Sequence, residues 1–134
     1  MTQNTEIKYD DLDYTSEGLF LLNGQPFTGV TIDRNDHGVK IGEVSFLNGR
    51  EHGVARSWYP NGRPRTEGPY VHGETHGVVK EWFDDGALKS ETVCEFGVPM
   101  RWEKRDRGAN VIEVFERPST DVLYQNVIKR RPRV

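Results

Sequence analysis

Glycine recurs through this chain at a step of 24 residues, and that recurrence constrains the fold more than any other feature. Gly29, Gly53 and Gly77 form one column, Gly38, Gly62 and Gly86 a second, and Gly49, Gly73 and Gly97 a third. Glu43, Glu67 and Glu91 keep the same step, as do the aromatic pairs Phe46 and Tyr70, Trp58 and Trp82, and Tyr59 and Phe83. Columns held in register mean an array of small units, each stabilised by its neighbours. The two fullest units are Phe46–Pro69 and Tyr70–Val93. Thr28–Ser45 keeps the glycines but lacks the tryptophan, and Cys94–Trp102 opens a unit that decays, with Arg101 in a glycine column.

Within a unit the grammar is β. Arg56-Ser57-Trp58-Tyr59 runs through Pro60-Asn61-Gly62 into Arg63-Pro64-Arg65-Thr66-Glu67, and Lys80-Glu81-Trp82-Phe83 through Asp84-Asp85-Gly86 into Ala87-Leu88-Lys89-Ser90-Glu91. Asn-Gly and Asp-Gly favour two-residue hairpin turns, because both central residues take positive φ. The sequence therefore predicts tight turns at Asn61-Gly62 and Asp85-Gly86. Longer turns are predicted at Asn48-Gly49…His52-Gly53 and His72-Gly73…His76-Gly77. Gly29, Gly38, Gly49, Gly53, Gly62, Gly73, Gly77 and Gly86 are read as structural turn positions.

A two-residue loop at Asn61-Gly62 pairs Trp58 with Arg65 and Arg56 with Glu67. The same step pairs Trp82 with Lys89 and Lys80 with Glu91. Opposite charges then recur at one cross-strand position, a contribution of roughly 0.2–1 kcal/mol per pair. Outside the repeats, Gly18–Leu22 and Val111–Phe115 read as strands. Residues after Pro118 read as a helical turn with Leu123, Tyr124, Val127 and Ile128 on one side. One domain over 1–134 is expected, with 1–27 as a cap, 28–102 as repeat hairpins and 103–134 as a C-terminal segment. A further edge, around Val93 to Trp102, is read as able to accept a partner strand.

Composition narrows the function. Only 34% of the residues are hydrophobic while 29% are charged, and the mean hydropathy of −0.74 leaves little for a large core. No apolar run reaches the ~18 residues of a membrane helix. Residues 1–17 hold five acids, one lysine and no hydrophobic stretch, so no secretory signal is read there. With one cysteine, the expectation is a cytoplasmic chain. Lys129, Arg130, Arg131 and Arg133 are four cations at the end of the chain; removing them from the net charge of −3 leaves −7 on residues 1–128. An acidic body argues against direct nucleic-acid binding, and the basic end reads as a solvated, frayed terminus.

The chemistry-bearing residues read mostly as scaffold. His52 and His76 share a repeat column beside turn glycines, so their recurrence is structural, and no metal is expected. The acids at 43, 67 and 91 are repeated with cationic partners, whereas a catalytic residue is usually singular. Cys94 falls in the column of Phe46 and Tyr70 and reads as a small buried thiol. No cofactor and no enzymatic activity are expected. The candidate binding residues are Arg56, Trp58, Arg65, Glu67, Lys80, Trp82, Lys89 and Glu91, since tryptophan and arginine dominate protein hot spots.

The pattern Asn-Gly…His-Gly…Trp-(Tyr/Phe)…(Asn/Asp)-Gly…Glu resembles the MORN-type repeat. With Pro26-Phe27-Thr28-Gly29-Val30 leading into the first hairpin, it is similar to the YwqK-like branch of bacterial repeat proteins, over about Leu12 to Gly97. The resemblance implies an all-β fold, a single-layer antiparallel β-meander of hairpin repeats. The chain departs from the pattern beyond Met100, so the short C-terminal strand and helical segment rest on the residues alone. The resemblance also implies an antitoxin or immunity protein that binds a cognate toxin; open sheet edges are compatible with a monomer or a homodimer. The alternative it implies is a non-catalytic scaffold or membrane-surface adaptor. The acidic body argues against membrane contact, while the basic tail would be its means.

Overall fold

The computed structural model describes residues 5–132. In chain order a 3-10 turn (Tyr9–Asp11) precedes β1 (Asp13–Tyr14), β2 (Phe20–Leu22), β3 (Gln25–Pro26), β4 (Gly29–Arg34), β5 (Lys40–Leu47), β6 (Arg50–Glu51) and β7 (Gly53–Trp58). There follow β8 (Pro64–Val71), β9 (Glu74–Thr75), β10 (Gly77–Trp82), β11 (Leu88–Glu95), β12 (Val98–Arg105), β13 (Val111–Glu116) and one helix, α1 (Val122–Arg130). The fold is all-β and antiparallel, with this short helix at its C-terminal end. β1-β2-β3 make a small sheet. The large sheet runs β13-β12-β11-β10-β8-β7-β5-β4, with β6 on β5 and β9 on β8.

Two kinds of turn alternate along the array, and they are the reverse of the expected assignment. The two-residue turns with both central φ positive are Asn23-Gly24, Asn48-Gly49, His72-Gly73 and Phe96-Gly97. Asn61 and Asp85 are not left-handed. Instead Tyr59 N–H donates to Arg63 O and Gly62 N–H to Tyr59 O, both at 2.9 Å. That is a three-residue loop, a type I turn closed by a glycine at φ 84°. Pro60 suits the first central position of a type I turn, but Asp84 and Asp36 hold that place in the equivalent loops Phe83–Ala87 and Asn35–Val39. Asn61 and Asp85 each accept the N–H two residues onward, from Arg63 and Ala87 at 2.9 Å. All eight glycines expected in turns have positive φ.

The longer loop carries one extra residue, and the sheet absorbs it in a bulge. Ser57 pairs with Thr66 but Trp58 with Pro64, leaving Arg65 as the bulged residue. Glu81 pairs with Ser90 but Trp82 with Leu88, which bulges Lys89. The expected pairs Trp58–Arg65 and Trp82–Lys89 are therefore corrected. Arg56–Glu67 and Lys80–Glu91 hold, because bulge and extra loop residue cancel by the time the ladder reaches them.

Both rims are laced from unit to unit. On the two-residue-turn rim, Asn48 N–H donates to Thr28 Oγ1 at 2.9 Å, His72 N–H to His52 Nδ1 at 3.3 Å and Phe96 N–H to His76 Nδ1 at 3.1 Å. On the other rim, Tyr59 donates its hydroxyl to Trp82 O at 2.6 Å and Asn61 its amide to Asp84 O at 2.9 Å.

The chain caps its own array. Phe20, Phe27 and Phe46 form the buried cluster at the N-terminal end, with Ile7, Leu12, Leu22 and Val44 packed on it. Phe20 and Phe27 lie 5.2 and 5.5 Å from the Phe46 ring, edge to face. At the other end α1 packs on β12, and Val127, Met100 and Cys94 are buried. Asp121 caps the helix by accepting the Leu123 and Tyr124 N–H groups.

The basic end is docked over its described part, contrary to the frayed terminus expected. Arg130 makes a two-pronged contact with Glu74 at 2.8 and 2.6 Å and lies 4.3 Å from the Phe96 ring centre. Arg131 does likewise with Glu95 at 3.0 and 2.6 Å. Arg133 falls outside the described residues.

Candidate protein-binding face

Side chains alternate across a strand, so a row of paired residues shares one face of the sheet. One such row reads Ile32, Glu43, Arg56, Glu67, Lys80, Glu91, Glu103, Val114 from β4 to β13. Charge alternates through its middle. Arg56 Nε lies 3.0 Å from Glu67 Oε1, and its Nη1 lies 3.9 Å from Glu43 Oε2. The alternation breaks at Glu91 and Glu103, which face each other as like charges. Arg105 answers that break by donating to Glu103.

Trp58 and Trp82 sit two residues beyond Arg56 and Lys80 on unbulged strands, hence on the same face. Lys40 bridges the row to the first tryptophan, with Nζ 5.1 Å from the Trp58 ring centre and 2.7 Å from Glu43 Oε1. Six of the eight expected binding residues are thus together: Arg56, Trp58, Glu67, Lys80, Trp82 and Glu91. Arg65 and Lys89 are not part of this arrangement. As bulge residues they lie over Tyr59 and Phe83, 5.6 and 5.7 Å from the ring centres. Sequence reasoning missed Lys40 and Glu103 on this face. Their signal is cross-strand placement, which appears only once the bulges fix the register.

The face is accessible. Arg56, Val78 and Glu91 are exposed, and Trp58 and Trp82 are half-buried by neighbours in their own layer. The opposite face carries the buried Thr31, Phe46, Ser90 and Cys94 and the Ser57–Thr66 hydroxyl contact. The third tryptophan, Trp102, stacks on Phe115 at 4.1 Å and donates its indole N–H to Glu113 Oε2 at 2.5 Å.

Titration follows local partners. The two-pronged Arg130 contact holds the Glu74 carboxyl below its ordinary range, and Trp102 and Lys104 do the same for Glu113. Glu51 runs the other way, pushed up by burial beside Tyr9 and Tyr70. His52 and His76 spend Nδ1 as backbone acceptors, and among the described residues no three His, Cys, Asp or Glu side chains converge on a metal-sized space. No helix among the described residues is long and apolar enough to cross a membrane.

No protein-family model matches the sequence, and neither a curated protein nor a solved structure matches it.

Proposed function

We propose that this chain is a non-catalytic binding protein of the antitoxin or immunity kind, which neutralises a cognate protein toxin by covering its active or target-binding surface. The observation that carries the proposal is the accessible row Glu43–Arg56–Glu67–Lys80–Glu91 beside Trp58 and Trp82. Aromatic anchors flanked by alternating charge suit a protein partner, the aromatics for affinity and the charges for orientation. That the partner is a toxin rests on the sequence resemblance. The adaptor alternative draws no support from Arg130 and Arg131, which already hold Glu74 and Glu95.

The test is capture followed by neutralisation. Tagged protein and a Trp58→Ala/Trp82→Ala variant, both shown folded by circular dichroism, are used to recover partners from native lysate. The captured protein is then expressed alone and together with each form. The expected result is growth arrest by the captured protein alone, relieved by wild type and relieved at least about tenfold less well by the variant, as for hot-spot loss. A captured protein that is harmless alone overturns the toxin proposal. Equal relief by the variant removes the face from it.

A further inference from the structure

The two edges of the large sheet are covered differently. At β4 the chain supplies its own cover: Ile7 forms a parallel bridge with Thr31, and its carbonyl accepts Ile32 N–H at 2.8 Å. Glu6 then clasps Arg34 with contacts of 2.9 and 2.8 Å. The edge expected around Val93 to Trp102 is not one, since β11 and β12 are each paired on both sides. The far edge is β13, which pairs, among the described residues, with β12 alone. Arg117 N–H donates to Met100 O at 2.8 Å, which sets the alternation along the strand. Residues 113 and 115 turn their backbone groups toward β12, while Val114 and Glu116 turn theirs outward.

An edge of this kind is usually blunted by lysine, proline or shortness. β13 has six residues, no lysine and no proline. Val111, Ile112 and Val114 are 48%, 65% and 69% exposed. Its charges are Glu113 and Glu116. On the inner side β12 already shows what this strand accepts. Arg101 faces Glu116, Trp102 faces Phe115 and Lys104 faces Glu113, the last with Nζ 3.3 Å from Oε2.

We propose that β13 is a docking strand for an extended segment of a partner protein, which adds antiparallel to the sheet. The segment reads cation, apolar, apolar, cation at the positions facing Glu116, Phe115, Val114 and Glu113. It repeats on the outer side the pattern of β12, with an aliphatic residue where Val114 is exposed. Main-chain bonds to Val114 and Glu116 supply the pairing, and the two carboxylates supply the choice of partner. A second copy of this chain suits the edge poorly: the seam would gather Glu113 and Glu116 from both copies, each chain carrying a net charge of −3. The inference stands on this edge and is independent of the toxin reading.

The test uses a blocked peptide of sequence threonine-lysine-tyrosine-valine-lysine-valine-threonine, titrated into isotope-labelled full-length protein while amide resonances are followed. The expected result is saturable change centred on Val114 and Glu116. Val114→Pro removes one outward N–H and no bond to β12, and should weaken binding at least about tenfold. Val114→Lys keeps the backbone donor, sets a cation beside the peptide lysine that faces Glu116 on the same side of the sheet, and should also weaken it. A peptide with glutamates for lysines should bind much more weakly than the original. Changes centred elsewhere, no binding at millimolar peptide, or equal binding of the glutamate peptide would overturn the proposal. So would a dimer of the free protein that Val114→Pro dissolves, since a second copy would then occupy the edge.

Discussion

At the scale of single residues, repetition separates scaffold from singular chemistry, and Glu51 is a singular case. It pairs across β5–β6 with Phe46 and shares a cleft with Tyr9, Tyr14 and Phe20. Burial raises its carboxyl pKa, so the folded chain holds this proton to higher pH than the unfolded chain does. Stability from this group is therefore greatest below the ordinary glutamate value of about 4.3 and declines as pH rises through the raised value. Glu51→Gln removes the buried charge at neutral pH. The variant should melt above wild type at pH 7, with the gap closing as the pH falls below about 4. Thermal unfolding across that range checks it, and a gap that stays constant would mean that packing, not charge, separates the two proteins. Glu74 and Glu113 carry the opposite sign, being lowered by Arg130 and by Trp102 with Lys104. Their contribution is present above the ordinary value and is lost on acidification. Cys94 was legible as a buried thiol from its column. The acceptor role of His52 and His76 was not, because it depends on a turn twenty residues onward.

At the scale of elements, the sequence located the turns better than it identified them. Asn48-Gly49 and Asn61-Gly62 are the same dipeptide, yet only the first is a two-residue turn. Pro60 favours a type I start at the second, but Asp85-Gly86 forms the same three-residue loop with Asp84 in that place, so proline alone does not separate the two kinds. His72-Gly73 and Phe96-Gly97 adopt the two-residue geometry without the asparagine that announces it. The bulges at Arg65 and Lys89 follow from the longer loop and hid the true neighbours of both cations. The last loop shows what glycine contributes at its closing position. Asp106 N–H donates to Asn110 O at 2.9 Å and Ala109 N–H to Asp106 O at 3.1 Å. Ala109 therefore occupies the place of Gly38, Gly62 and Gly86, at φ 66°. The 24-residue step arrives one residue short here, and Gly108 misses the position. A left-handed alanine costs about 1 kcal/mol. Ala109→Gly should raise stability by roughly that amount, net of the added freedom of the unfolded chain. A urea midpoint that falls instead would show that the loop does not hold this geometry in solution.

At the scale of the whole molecule, a repeat array shortens by whole units if the junction restores each column. Removing residues 68–91 joins Glu67 to Thr92, so that Glu67 stands where Glu91 stood. β7 would then meet a composite strand. Arg56–Glu67 and Ser57–Thr66 are kept, while Ala55 takes the place of Val79 opposite Thr92, and Gly53 that of Gly77 opposite Cys94. His52 replaces His76 as acceptor for Phe96 N–H, and Glu51 O replaces Thr75 O for Gly97 N–H. The Cys94 end and the Phe46 end of the buried face come one unit closer. What does not transfer is the helix clamp, since Glu74 is deleted and its column holds Arg50, a like charge for Arg130. The shortened chain should keep the far-ultraviolet signature of the sheet and unfold cooperatively, but melt below the full-length protein. Replacing Arg50 with Glu in the shortened chain rebuilds the clamp and should recover part of that loss. Loss of the sheet signal in both shortened chains would mean that the array depends on its particular sequence of units rather than on contacts between neighbours.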